Sequence, residues 1–135
     1  MPEPFQRFIA GWELVVAWHR EYWPKQTRDA ELTAHLVQEL PRLGLESNPE
    51  WLQRIAALVR WTVEEMSGAQ ATGRIHTVEG TGDWQGIVDA LYTVRCNLLK
   101  GGKQPTNHAD LALTKTAADV VFVVASKLIY REGAS

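Results

Sequence analysis

Apolar residues recur at steps of three and four along most of the chain, and this spacing constrains the fold most. The first segment shows the pattern clearly, in Phe5, Phe8, Trp12 and Val15. Such spacing lines one side of an α-helix with apolar side chains, which must then be buried against other helices. Five segments show it and hardly any strand pattern is present. The sequence therefore predicts an all-α fold, a helical bundle of about five helices.

Residues that start or stop helices set the predicted boundaries. Asn48 followed by Pro49 is typical of a helix N-terminus, and Asp83 is a second N-cap candidate. Gly68 and the Gly101-Gly102 pair are candidate helix ends. The predicted helices cover residues 4–22, 29–40, 49–66, 84–100 and 107–130. Between the third and fourth, residues 67–82 are predicted as a long connection of functional or mobile character.

The run from Val120 to Val124 is the one place where a buried strand competes with a helix. Its β-branched residues favour a strand. No turn signal interrupts residues 107–130, however, and no second strand candidate is available to pair with it. We therefore predict a helix that is apolar nearly all round, as in the centre of a bundle or at a contact with another chain.

Length and charge narrow the class of protein. The 135 residues are enough for one core, which predicts a single domain over residues 1–135. A net charge of -2 argues against coating of duplex nucleic acid, although it leaves room for a local basic site. The single cysteine, Cys96, fits a reducing cytoplasm. The first residues lack a secretory signal pattern, and no apolar run approaches the roughly 20 residues that span a bilayer. We expect a cytoplasmic protein without membrane contact.

Positive charge is concentrated where the fourth predicted helix ends. Arg95, Lys100 and Lys103 fall within nine residues, and Gly101-Gly102 releases the backbone between them. Cations near a helix C-terminus are stabilised by the helix dipole, so simple capping explains their presence. The arrangement also concentrates positive charge and hydrogen-bond donors at one point, so a local basic pocket is the alternative interpretation.

The residue types around these cations are more specific than the charges. The stretch from Tyr92 to Lys103 reads Tyr-x-Val-Arg-Cys-Asn-Leu-x-x-Gly-Gly-Lys. It resembles the helix-end signature of the HEPN superfamily of small α-helical proteins, commonly Arg-Asn-Leu-Phe-His-Gly-Gly-Lys. Six positions match as they stand: Arg95, Asn97, Leu98, Gly101, Gly102 and Lys103. The resemblance covers about a dozen residues, and elsewhere it extends to architecture only.

This resemblance implies a homodimer in which two copies of the motif share one cleft. Many members of the superfamily are metal-independent endoribonucleases of toxin–antitoxin or antiphage defence systems, without a cofactor. Others have lost catalysis and serve as nucleotide- or RNA-binding or dimerisation modules. If the chain belongs to a toxin–antitoxin system, the resemblance implies an antitoxin or a nucleotidyltransferase as its protein partner.

Lys100 stands where the superfamily motif has its histidine. An imidazole can take a proton from a ribose 2′-hydroxyl and return one to the leaving group. A lysine titrates near 10.4, so at neutral pH it is protonated and does not act as a base. Lys100 is still able to stabilise a phosphate by its charge. An altered endoribonuclease and an inactive phosphate-binding module therefore both remain open.

The resemblance assigns roles to individual residues. Arg95 and Lys100 would contact the phosphate, and Asn97 would orient the ribose or the opposing motif. Lys103 would hold a flanking phosphate. The remaining candidates for binding RNA or phosphate are Gly101, Gly102, Tyr92 and His108.

Other histidines and carboxylates offer weaker signals. His76, in the long connection, and His108, at the start of the last helix, are each candidates to approach the cleft in place of the missing motif histidine. Glu64-Glu65 is predicted as a solvated helix face. No spacing of His, Cys, Asp and Glu resembles a metal site, and no catalytic triad is apparent.

Overall fold

The computed structural model describes residues 2–67, 70–99 and 108–134, with side chains through residue 130 except at 108 and 109. The fold is mainly α, with five α-helices and one small two-stranded sheet in the described residues, which confirms the predicted class. The elements in chain order are α1 (Glu3–Tyr22), α2 (Asp29–Glu39), α3 (Pro49–Leu58), β1 (Thr62–Ser67), β2 (Gln70–Thr77), α4 (Trp84–Leu99) and α5 (His108–Ala134). Two short 3-10 turns, Leu40–Arg42 and Leu45–Ser47, lie between α2 and α3.

Helices α1 and α5 make the most extensive contact among the described helices. Gly11 of α1 is buried, and a Cβ atom built on it would lie 2.6 Å from Val121 Cγ1 of α5. The glycine therefore lets the two helices approach each other more closely than any larger residue would permit. The Val120–Val124 run is helical, as predicted, and Val120, Val121, Val123 and Val124 are all buried in the core.

The predicted N-caps of α3 and α4 are present. Asn48 Oδ1 accepts hydrogen bonds from the backbone N–H groups of Glu50 at 2.9 Å and Trp51 at 3.4 Å. Asp83 Oδ1 accepts from the backbone N–H of Gly86 at 3.1 Å. These bonds satisfy donors that a helix N-terminus otherwise leaves without a partner. The beginning of the motif helix α4 is thus fixed by its own sequence.

A β-hairpin replaces the predicted end of the third helix and much of the predicted connection 67–82. Helix α3 ends at Leu58, and β1 pairs with β2 in antiparallel register, with a bulge between Glu64 and Met66. Only Val63 of β1 is buried, so the strands lack the apolar alternation that reveals a strand in sequence. The prediction of a helix to Met66 was wrong because Thr62 and Met66 continue the helical spacing by coincidence.

Two histidines join α1 to α2 within an aromatic cluster. His19 Nε2 and His35 Nδ1 lie 2.8 Å apart, within hydrogen-bond distance, and the ring of Trp23 stacks on His35 at 4.1 Å between centroids. His19 is buried. Burial and the facing ring of His35 lower the pKa of His19, and the carboxylate of Glu31 opposes this shift. The folded protein therefore favours neutral His19.

We expect the protein to lose stability in mild acid through His19. Because the pKa of His19 is lower in the folded state, the unfolded chain binds more protons once the pH falls below about 6.5. Between that pH and the lower pKa of His19 in the folded state, protonation of the unfolded chain reduces the free energy of unfolding by up to about 1.4 kcal/mol per pH unit. Urea unfolding at several pH values should show a shallower acid loss for His19→Gln than for the wild type. Equal slopes for the two proteins would contradict this role.

Candidate functional site

Helix α4 presents the motif residues on two different sides. Tyr92 and Cys96 line a pocket beside the hairpin, and the partly buried Arg95 lies next to them. Asn97 is fully buried on another side of the helix. At about 100° per residue, Asn97 lies roughly 200° from Arg95, as the sequence predicts. The motif therefore divides into a partly accessible face and a core face.

Arg95 and Tyr92 meet on one carboxylate of α2. Arg95 Nη1 lies 2.9 Å from Asp29 Oδ2, and the hydroxyl of Tyr92 donates to the same oxygen at 2.9 Å. The side chain of Arg95 is 26% exposed and that of Asp29 is 49% exposed. Asp29 is the first residue of α2, where the helix dipole favours a negative charge. An anion thus already lies against the guanidinium predicted to bind phosphate.

The surroundings of these groups keep Arg95 charged and Tyr92 protonated. Burial acts against the charge of Arg95, but the Asp29 carboxylate and Cys96 outweigh it and raise the pKa of Arg95. Burial first, and then Cys96 and Asp29, raise the pKa of Tyr92 well above its usual range. Near neutral pH this face of α4 therefore offers a cation and a hydroxyl donor.

The amide of Asn97 holds the hairpin onto α4. Its Nδ2 donates to the backbone carbonyl of Glu64 at 2.6 Å, and its Oδ1 accepts from the backbone N–H of Met66 at 2.9 Å. The two bonds enclose the bulge of β1 and satisfy backbone groups there. Because Asn97 is fully buried, contact of this amide with a ribose, the role implied by the resemblance, would require the side chain or the hairpin to move. In this geometry Asn97 positions the strand.

A pocket of about 240 Å³ opens between the hairpin and α4. Its walls come from both elements: Glu65, His76, Asp89, Tyr92, Thr93 and Cys96. His76 Nε2 is buried without a hydrogen-bond partner and lies 3.8 Å from Glu65 Oε2. The side chain of His76 is 28% exposed, so the rest of its ring is reachable. The structure thus places a histidine beside the motif helix.

Several predicted site residues cannot be placed. Lys100, Gly101, Gly102 and Lys103 lie outside the described residues. His108 is the first residue of α5, but its side chain is not described. The proposed arrangement of Arg95 with Lys100 therefore stays a prediction.

Two residues of the site were missed by the sequence reasoning. Asp29 was not singled out, because its partner Arg95 is 66 positions away and no local pattern connects them. Glu65 was predicted on a solvated helix face, and the strand instead turns it towards His76. Only the correct assignment of the hairpin would have brought Glu65 and His76 together.

A second pocket, of about 310 Å³, lies between α1, α3 and α5. Its cations Arg7 and Arg54 both contact the carboxylate of Asp119, which Lys115 also approaches at 3.7 Å. One carboxylate thus compensates several positive charges and ties three helices together. We interpret this cluster as part of the packing of the bundle.

Within the described side chains, no group of three or more His, Cys, Asp and Glu residues is arranged to hold a metal ion. None of the helices in the described part of the chain has the length and apolar character needed to cross a bilayer. Comparison of the chain with protein-family models, with curated proteins and with solved structures finds no match.

Proposed function

We propose that this chain is a HEPN-like, RNA-directed protein that binds a sugar–phosphate backbone along α4. The observation that carries the proposal is the meeting of Arg95 and Tyr92 on the partly accessible face of the motif helix, beside a pocket. A cation and a hydroxyl donor at one point suit a phosphodiester oxygen. The proposed activity is metal-independent endoribonuclease cleavage in a toxin–antitoxin or antiphage system of the cytoplasm.

The ion pair with Asp29 is compatible with this proposal. A guanidinium carries five N–H donors, and the hydrogen bond to Asp29 uses Nη1. Asp29 is half-exposed, so its carboxylate can move away at small cost to the core. A phosphate then takes the place of the carboxylate, since arginine binds both kinds of anion in the same way.

The proposal includes a homodimer, in which two copies of this face share one cleft. It also includes an antitoxin or nucleotidyltransferase as the partner protein. Size measurement by light scattering, with and without RNA, tests the dimer. A monomer under both conditions would remove the shared cleft from the proposal.

The alternative is a catalytically inactive module that binds RNA or a nucleotide. Two observations favour it: Lys100 replaces the motif histidine, and Arg95 already forms an ion pair with Asp29. Both functions use the same face of α4. They differ in whether the RNA is cut after it binds.

Incubation of the purified protein with total RNA tests both functions. We expect the wild type to bind and cut RNA, and Arg95→Ala to weaken binding about tenfold, as loss of one charge-assisted contact does. Lys100→Ala is expected to reduce cleavage as well. The matched control is Arg42→Ala, because this exposed cation lies beyond the far end of α2, about 15 Å or more from Asp29.

The outcomes separate the two functions. Binding without cleavage supports the inactive module, and a gain of cleavage by Lys100→His would identify a decayed active site. Absence of RNA and nucleotide binding would contradict both functions and leave Arg95 a structural role.

A further inference from the structure

We infer that His76 of the hairpin supplies the proton-transferring group that the motif lacks, with Glu65 as its positioning residue. The inference rests on the proposed function and names a catalytic residue for it. It starts from the position of His76, which lines the same pocket as Tyr92 and Cys96 of the motif helix.

Tyr92 connects this pocket to the cationic group. Its ring forms part of the pocket wall, and its hydroxyl reaches the Asp29 oxygen that Arg95 also contacts. The Arg95 guanidinium carbon lies 5.8 Å from the centre of the Tyr92 ring. A nucleotide whose phosphate lies at Arg95 therefore has Tyr92 beside it and the imidazole of His76 across the pocket.

Glu65 is suitably placed to orient the ring of His76. The buried Nε2 of His76 has no hydrogen-bond partner and faces the Glu65 carboxylate at 3.8 Å. A carboxylate facing one ring nitrogen favours the tautomer with its proton there, which leaves the other nitrogen free to accept a proton. Such contacts are commonly long in a free enzyme and shorten when substrate binds.

The hairpin is held in register with the motif helix. Val63 of β1 pairs with His76 of β2 and is itself buried, so His76 lies on the side of the sheet that faces the core. Asn97 fixes β1 at Glu64 and Met66, on either side of Glu65. The motif asparagine thus keeps the pair of Glu65 and His76 beside α4.

The proposed step is cleavage by the neighbouring hydroxyl. The 2′-hydroxyl gives its proton to the free nitrogen of His76, and its oxygen forms a bond to phosphorus. The bond between phosphorus and the 5′-oxygen breaks, and that oxygen takes a proton from water. The products are a 2′,3′-cyclic phosphate and a 5′-hydroxyl, and His76 then returns its proton to solvent. Arg95 stabilises the charge on the phosphate during the transfer.

Cleavage of RNA by His76→Ala, measured with and without added imidazole, tests the inference. We expect the cleavage rate to fall about 100-fold or more, as loss of a general base does, with RNA binding unchanged. Imidazole in solution should restore part of the rate by entering the space left by the ring. Glu65→Gln should lower the cleavage rate about tenfold, which is the loss typical when the group that orients a functional histidine is removed.

The matched control is Ile75→Ala, on the neighbouring and exposed position of the same strand. Its cleavage rate should equal that of the wild type, and circular dichroism should show all variants folded. A cleavage rate of His76→Ala or His76→Gln equal to that of the wild type would overturn the inference. A loss of rate in His76→Ala that added imidazole does not restore would also overturn it. Retained cleavage by the His76 variants overturns this inference alone. Binding without cleavage by the wild type overturns both this inference and the proposed endoribonuclease activity, and leaves the inactive module, whereas absence of binding overturns the proposed function as a whole.

Discussion

Asn97→Ala should destabilise the protein by about 2–6 kcal/mol, because it leaves two partly buried backbone groups of β1 without partners. The N–H of Met66 and the carbonyl of Glu64 each cost about 1–3 kcal/mol when they lose their bond without gaining water. The small cavity left by the side chain adds to this. Urea unfolding measures the change, and amide hydrogen exchange at Met66 should become faster in the variant.

The matched control for this experiment lies on the same helix. Gln85→Ala removes an exposed amide that donates a hydrogen bond to Asp89 Oδ1 at 2.9 Å, so its effect should stay within about 0.5 kcal/mol. An equally small effect of Asn97→Ala would show that the hairpin is held in another way. It would also free this amide for the ribose-binding role.

Gly11→Ala should destabilise the contact between α1 and α5 by about 1–3 kcal/mol. The new methyl group would lie 2.6 Å from Val121 Cγ1 and 3.3 Å from the ring of Phe122, so one helix must move. Alanine is the better helix former by about 1 kcal/mol, which offsets only part of the clash. Thermal unfolding followed by circular dichroism measures the net effect.

A compensating substitution distinguishes steric conflict from other causes. Val121→Ala removes the methyl group that the new Cβ would meet, so the double variant should be more stable than the sum of the single effects predicts. Gly80→Ala is a suitable control, since nothing lies within 4 Å of a Cβ at that position. Additive effects of the two core substitutions would contradict direct contact.

Helices with a buried stripe and a local cap could be predicted from the sequence. In α4 the cap at Asp83 and the stripe of Ile87, Leu91 and Val94 agree with the structure, since both signals are local. Even the apolar run of α5 was assigned correctly, because no turn signal interrupts it.

The hairpin could not be predicted by the same reasoning. Its strands bury little side-chain surface, and β1 is held by the side chain of Asn97, more than 30 positions later in the chain. The pairing of Asp29 with Arg95 joins residues that are 66 positions apart in the chain. Local patterns carry no information on such contacts, so the motif was found in the sequence while its neighbours were not.

The carboxylate of Asp29 has a consequence for any ligand of Arg95. Because it belongs to the same molecule, it is a tethered competitor whose effective concentration at the guanidinium does not fall on dilution. Anions that bind weakly or through a single contact, such as free chloride, therefore do not displace this carboxylate from Arg95. A ligand displaces it only when several groups of the ligand bind at once, as neighbouring nucleotides of one strand do.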